Sequence, residues 1–246
     1  MTTDYDPIAD DYKRSKELPW RGFIERFTLL NLMGNIEGKS VLDVACGEGF
    51  YTRMLREQGA NQVTGIDISQ GMIDLARQQE KDNQLGIEYV VEDARELTGE
   101  HQYDLVLAAW LFNYARTAEE LSQMCQSVAK ALKPAGRLVA VNCNPACDFR
   151  DAPSYRDYGF ETSLVGPWQE GTPITWRLFL SDGHFEIENY HLSQATHDFA
   201  LKSAGFTTVE WKPPELSPAA LKDNASSHWD TIMNHPPFTF LECVKG

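Results

Sequence analysis

Ser40-Val41-Leu42-Asp43-Val44-Ala45-Cys46-Gly47-Glu48-Gly49-Phe50 is an apolar run that breaks into a glycine turn. The run predicts a strand buried on both faces, as strands of a parallel sheet are. Gly47 and Gly49 let the backbone turn tightly and approach a ligand closely. The stretch after the turn predicts a helix, with Gly59 just past its end. A strand, a glycine turn and a helix whose amide ends face the turn together predict a ligand site there.

Outward from this unit the pattern repeats. Asn61–Ser69 predicts a second strand, and Ser69 can cap a helix in which Met72, Leu75 and Ala76 share a face. Ile87–Ala94 predicts a third strand and Tyr103–Phe112 a fourth, continuous in apolar residues. Thr117 and Glu120 form a capping box, opening a helix with Leu121, Met124, Val128 and Leu132 on one stripe. Pro134 and Gly136 punctuate before a fifth strand, Arg137–Asn142. Such β–α alternation requires crossovers and a parallel sheet with helices on both faces. Before it, Ile24, Phe27, Leu30 and Met33 follow helical spacing up to Gly34. After it, residues 144–192 break the rhythm. Ile174–Leu180 and Phe185–Leu192 are β-rich runs joined through Ser181-Asp182-Gly183-His184, which predicts an inserted antiparallel hairpin turning at Asp-Gly. Ser193 can cap a further helix, and two final strands, Phe206–Trp211 and Phe238–Val244, flank a Pro-rich connection.

The 246 residues suit one α/β domain with an insertion, large enough to fold without metal or disulfide staples. Asp and Glu outnumber Lys and Arg by 36 to 22, a net charge of −14 that repels phosphate backbones and argues against a nucleic-acid partner. The five cysteines are odd in number, and no second pair completes a zinc site with Cys143 and Cys147, so no metal is expected. The polar start is no signal peptide, and no apolar run reaches the roughly 20 residues that span a bilayer. A soluble cytoplasmic protein is expected.

Four features bear on the ligand. The third glycine of a dinucleotide fingerprint counted from Gly47 would fall at Thr52. Glu48 sits inside the turn, where a carboxylate would repel a pyrophosphate. Asp67 ends the second strand, where an acidic residue can accept from both ribose hydroxyls. Asp93 ends the third, where it can accept from an adenine amino group while the Ala94 amide donates to a ring nitrogen.

Val41–Gly49, Asp67 in Gly65–Ser69, Glu92-Asp93-Ala94 and Leu132–Val141 together resemble the successive signatures of class I S-adenosylmethionine-dependent methyltransferases. The resemblance covers residues 38–142 firmly and the final two strands loosely. It implies a doubly wound, Rossmann-like seven-stranded α/β sheet whose last strand inserts antiparallel beside the fifth. The implied domains are a helical lid over 1–37 and a methyltransferase domain over 38–246, with 144–192 as a substrate cap. The implied cofactor is S-adenosylmethionine, leaving as S-adenosylhomocysteine. Its implied contacts are Tyr5, Tyr12, Asp43, Ala45, Gly47 and Gly49, then Ile68, Met72 and Trp110, with Asp67 at the ribose and Asp93 and Ala94 at the adenine.

The fourth strand runs out into Trp110-Leu111-Phe112-Asn113-Tyr114, which in this architecture faces the transferring methyl. Asn113 and Tyr114 are expected to orient the acceptor. His191, which titrates near working pH, is the candidate base, ahead of His197. Trp20, Asn113, Trp176 and Tyr190 are the candidate substrate contacts. The opening segment and Asn189–Phe206 also resemble toxoflavin-type methyltransferases, which act on ring nitrogens of azapteridines. A small planar heteroaromatic acceptor, methylated at nitrogen or oxygen, follows from that resemblance. A regulatory protein that only binds the cofactor, an RNA or protein methyltransferase, and a nicotinamide enzyme remain as alternatives.

Overall fold

The computed structural model describes residues 5–223 and 226–246; residues 1–4 of the expected lid lie outside them. The strands are β1 (Ser40–Val44), β2 (Gln62–Asp67), β3 (Glu88–Val91), β4 (Tyr103–Ala109), β5 (Leu132–Cys143), β9 (Phe206–Lys212) and β10 (Phe238–Lys245) in one seven-stranded sheet. Its order is β3-β2-β1-β4-β5-β10-β9. The first five strands pair in parallel, and β10 inserts antiparallel between β5 and β9. The strand order reverses at β1 and β4, and in open α/β sheets ligands bind at that switch point, outside the carboxyl ends of the strands.

Alternate residues feed two apolar layers, the period-two consequence of the pleat. Val41, Leu105, Leu107 and Val139 face one layer. Leu42, Val106, Ala108 and Leu138 face the other. On the first side pack α2 (Phe27–Met33), α3 (Phe50–Glu57) and α4 (Gln70–Asp82); on the second pack α5 (Ala118–Ala131) and α6 (Gln194–Ser203). The expected caps form: Ser69, Thr117 and Ser193 each accept from the amide three residues on. No described helix is long and apolar enough to cross a membrane.

Three local expectations need correction. The amino-terminal helix is not regular: Arg21–Arg26 is a wide π-type turn that leads into α2. It shifts the buried face, so Arg21, Ile24, Glu25, Thr28, Leu29 and Met33 are buried while Phe27 and Leu30 are half-exposed. The punctuation at Pro134 and Gly136 lies inside β5, as a bulge between the Tyr103–Leu132 and Leu105–Arg137 pairs. The fourth strand stops at Ala109 instead of Phe112, because Trp110 adopts φ +66°.

The inserted hairpin forms as β7 (Pro173–Leu180) and β8 (Gly183–Tyr190), and a third antiparallel strand, β6 (Phe160–Leu164), extends it into a small sheet. Only Phe160 of the edge strand β6 is fully buried, so its apolar pattern reduces to one residue. Leu180 pairs with Gly183, so the turn is Ser181-Asp182 and Gly183 already belongs to the strand. The inner face of this sheet, with Trp176, Leu178 and Ile187, joins the same core layer as Trp20, Trp110 and Phe238. The helix α1 (Ala9–Ser15) packs on β7, and Arg14 reaches Asp182 at 2.5 Å.

Candidate active site

The carboxyl ends of β1, β2, β3 and β4 open into one cavity of about 990 Å³, counting its open mouth. Ala45 and Gly47 form its floor at the glycine turn, at φ +60° and +55°. Backbone in this region is unusual for alanine and marks a turn held in place by its surroundings. A Cβ on Gly47 would project toward the Tyr12 ring and the Met72 sulfur at 3.8 and 3.9 Å. Gly49 supplies a different need. Its φ is +85°, and a Cβ there would come within 2.9 Å of the Tyr89 ring. Gly49→Ala is expected to cost about 1–3 kcal/mol in backbone strain alone, lowering the melting temperature by roughly 5 °C. A calorimetric scan of the variant measures this directly; a wild-type melt would contradict it.

Asp67 occupies the cavity wall, and its two oxygens accept from the amides of Gly47 (2.8 Å) and Ser69 (2.9 Å). The carboxylate thereby ties the glycine turn to the start of α4. Ile68, Met72, Asp93, Ala94 and Trp110 line the same cavity. Asp93 is gripped by Arg95 at 2.5 and 3.0 Å, and that pairing holds its carboxyl below the ordinary range. Four carboxylates (Asp67, Glu92, Asp93, Glu120) stand in the wall against two guanidiniums, Arg95 and Arg116. An acidic wall suits a ligand with cationic centres and opposes a pyrophosphate.

Tyr5, Tyr12 and Tyr114 close the cavity from the amino-terminal side and from the end of β4. Tyr5 and Tyr12 meet edge to face, with centroids 5.2 Å apart. The hydroxyls of Tyr5 and Tyr114 are hydrogen-bonded to each other. Burial pushes both phenols well above their ordinary pKa, so both stay neutral.

Asp43 and Gly49 do not reach the cavity surface. Asp43 is buried beneath the turn, where Thr52 donates to it at 2.7 Å and its other oxygen has no partner. That hydrogen bond explains a threonine where a dinucleotide fingerprint has glycine. Burial pushes the Asp43 carboxyl up to about 7. A group raised in the folded state binds its proton there while the unfolded chain has released it, so stability falls as pH rises from about 4 to 7. Asp43→Asn is therefore expected to gain stability over the wild type by roughly 1.4 kcal/mol per pH unit in that window. Urea melts of both proteins at pH 5, 6 and 7 read this; a constant difference would refute the raised carboxyl. Glu48 also fails to act as expected. It turns away from the cavity onto Arg53 (2.8 Å) and Gln79 (2.8 Å), so it repels nothing in the site.

A second, smaller cavity of about 290 Å³, counting its open mouth, shares Tyr12, Trp110 and Tyr114 with the first. Trp20 and Trp176, expected at the substrate, line it, as do Arg21, Leu178, Ile187 and Asn189. Arg21 and Glu25 went unrecognised in the sequence. They form a buried pair at 2.9 Å, and Glu25 also accepts from the Tyr51 hydroxyl and from Trp110 Nε1 (3.0 Å). Burial opposes the Arg21 charge, but Glu25 more than compensates and the guanidinium pKa is raised. The available signal was an i, i+4 charge pair on the face that Ile24 buries.

Four candidates lie in the wall of neither cavity. His191 stacks on Trp168 with centroids 3.6 Å apart, and burial lowers its pKa against the pull of Glu170 and Asp148. The structure therefore does not bring His191 to either cavity. His197 is likewise buried, bonded to Ser193 and Asn142. Asn113 is buried in the short turn after β4, and Tyr190 donates to Glu188 beside Arg116.

Residues 41–136 match the family model described as a methyltransferase domain. Over 223 residues the chain is 26% identical to the N-demethylindolmycin N-methyltransferase of Streptomyces griseus, covering 87% of this chain and 92% of that one. It is 35% identical over 104 residues to the ubiquinone biosynthesis O-methyltransferase of Coxiella burnetii, a match spanning 42% of this chain and 43% of that protein. An S-adenosylmethionine-dependent methyltransferase from Clostridium acetobutylicum shares the fold with a TM-score of 0.67 at 15% identity, over 99% of this chain and 100% of the other.

Proposed function

We propose that this chain, a class I S-adenosylmethionine-dependent methyltransferase, methylates a small planar heteroaromatic molecule at a ring nitrogen or an oxygen. The observation that carries the reading is the pair of cavities with a shared wall at Tyr12, Trp110 and Tyr114. One is acidic and lies at the strand ends; the other is aromatic. The donor set of the first fits the cofactor. Asp67 would accept from the ribose hydroxyls, and Asp93 with Ala94 would meet the adenine. Gly47 would hold the methionine end. Tyr5, Tyr12, Ala45, Ile68, Met72 and Trp110 would pack around it.

Bound there, S-adenosylmethionine supplies a methyl group activated by the sulfonium. What remains for the protein is to hold the acceptor in line and exclude water, and good positioning can lower a barrier by roughly 7–11 kcal/mol. Tyr114, neutral and present in both walls, would orient the acceptor. Residues 5–37 would act as the lid and 144–192 as the substrate cap, since Trp20 and Trp176 enclose the second cavity from those segments. The Streptomyces relative is by name an N-methyltransferase of a small molecule, which supports an acceptor of that kind here. The net charge of −14 favours a free small molecule over nucleic acid, in a soluble cytoplasmic protein.

S-adenosylhomocysteine at about 100 times its dissociation constant is expected to stabilise the protein by roughly 2.7 kcal/mol, or 5–10 °C. Incubation with S-adenosylmethionine and a panel of heteroaromatic acceptors, read by mass spectrometry, should show one added methyl. Cofactor binding with no methyl transferred to any small molecule would favour a regulatory role instead.

A further inference from the structure

The second cavity is enclosed by Trp20, Trp110, Tyr114 and Trp176, with Tyr12, Arg21 and Asn189 as its other polar residues. The buried polar atoms of this wall that lack a partner are all N–H donors: Trp20 Nε1, Arg21 Nε and Trp176 Nε1. The Cys143 thiol lies near Trp176 Nε1 and is a weak acceptor. Two acceptors at this wall are already used, Asn189 in it and Glu25 behind it. Glu25 takes hydrogen bonds from Arg21, Tyr51 and Trp110, and Asn189 Oδ1 takes one from Cys143.

A buried donor left unpaired carries its full desolvation cost, which a ligand acceptor removes and a ligand donor does not. Charge narrows the choice further. Arg21 is 5% exposed and already neutralised by Glu25, which is fully buried, so the wall is net neutral. An anionic ligand would bring an uncompensated charge into an aromatic chamber. The rings themselves favour a flat partner with π-faces.

We propose that Arg21 selects the methyl acceptor, and that this acceptor is an uncharged planar ring with carbonyl oxygens or unprotonated ring nitrogens on the edge turned to Arg21. The proposal rests on the methyltransferase reading above. Arg21 acts here as a specificity-determining residue, held in place by Glu25, which Tyr51 and Trp110 hold in turn.

Three bicyclic probes separate the possibilities: isatin (two carbonyls), indole (none) and indole-2-carboxylate (anionic). Each is titrated calorimetrically into protein saturated with S-adenosylhomocysteine. Isatin is expected to bind at least about tenfold tighter than either other probe, since a site built to hydrogen-bond discriminates strongly against analogues that cannot. Arg21→Met alone would strand the buried Glu25 and endanger folding, so the test uses Arg21→Met/Glu25→Gln, whose glutamine still accepts from Tyr51 or Trp110. In that variant isatin should fall to the level of indole, while indole and S-adenosylhomocysteine affinities stay within about threefold of wild type. Equal binding of isatin and indole, tightest binding of the carboxylate, or no probe binding to the loaded protein would each overturn the proposal. So would a double variant that loses S-adenosylhomocysteine, which would move Arg21 to the cofactor. Failure of the wild type to bind S-adenosylhomocysteine would instead remove the function on which the proposal rests.

Discussion

Asp67→Ala is expected to weaken S-adenosylhomocysteine binding by about 100-fold while lowering stability by only about 1 kcal/mol. The two effects separate because the carboxylate has two jobs. In the protein it accepts from the amides of Gly47 and Ser69, in a half-buried position where water can replace it. Toward a ribose it would accept from two hydroxyls, and hydrogen bonds to a charged group contribute about 1.5–3 kcal/mol each. Losing both gives roughly 3 kcal/mol or more, two decades in affinity. Asp67→Asn keeps one carbonyl oxygen and is expected to fall between, near tenfold. Calorimetric titration of both variants decides the matter, and an alanine variant with wild-type affinity would remove the ribose assignment.

Glu25→Ala is the variant expected to damage the fold most. It leaves the Arg21 guanidinium buried without its counter-charge and takes the acceptor from Tyr51 and Trp110. Breaking one side of a buried pair costs about 3–5 kcal/mol, which for this length is a drop of roughly 10 °C. The double variant Arg21→Met/Glu25→Gln is expected to recover more than half of that loss, because no unpaired charge remains. Thermal melts of the two proteins check this; equal melting temperatures would show that the pair is not coupled. Added salt should change neither result much, since buried pairs are weakly screened.

The order of strands and helices was legible because each relied on local chemistry. Val41-Leu42-Asp43-Val44 and Leu105–Ala109 are apolar on both faces, and Ser69, Thr117 and Ser193 announce helix starts by their own side chains. Of the cofactor candidates, those at strand ends and turns were readable for the same reason: Ala45, Gly47, Asp67, Ile68, Asp93 and Ala94 all reach the first cavity. The candidate substrate residues divide between two settings. Trp20 and Trp176 were found by size and aromaticity, but His191 and Asn113 were chosen for chemical type and face other surroundings. The third inserted strand was missed because an edge strand with one buried residue has almost no periodicity to read.

Local sequence by itself determined the alternation of strands and helices and the acidic strand ends, since backbone preference and apolar period act over a few neighbouring residues. Only the tertiary structure decided that Arg21 and Glu25 form a buried pair, that Glu48 turns outward onto Arg53, and that Trp20, Trp110 and Trp176 close one chamber. Each of those outcomes depends on groups far apart in the chain removing one another from water. The free energy of that exchange belongs to the assembled surroundings and has no signature at any single position.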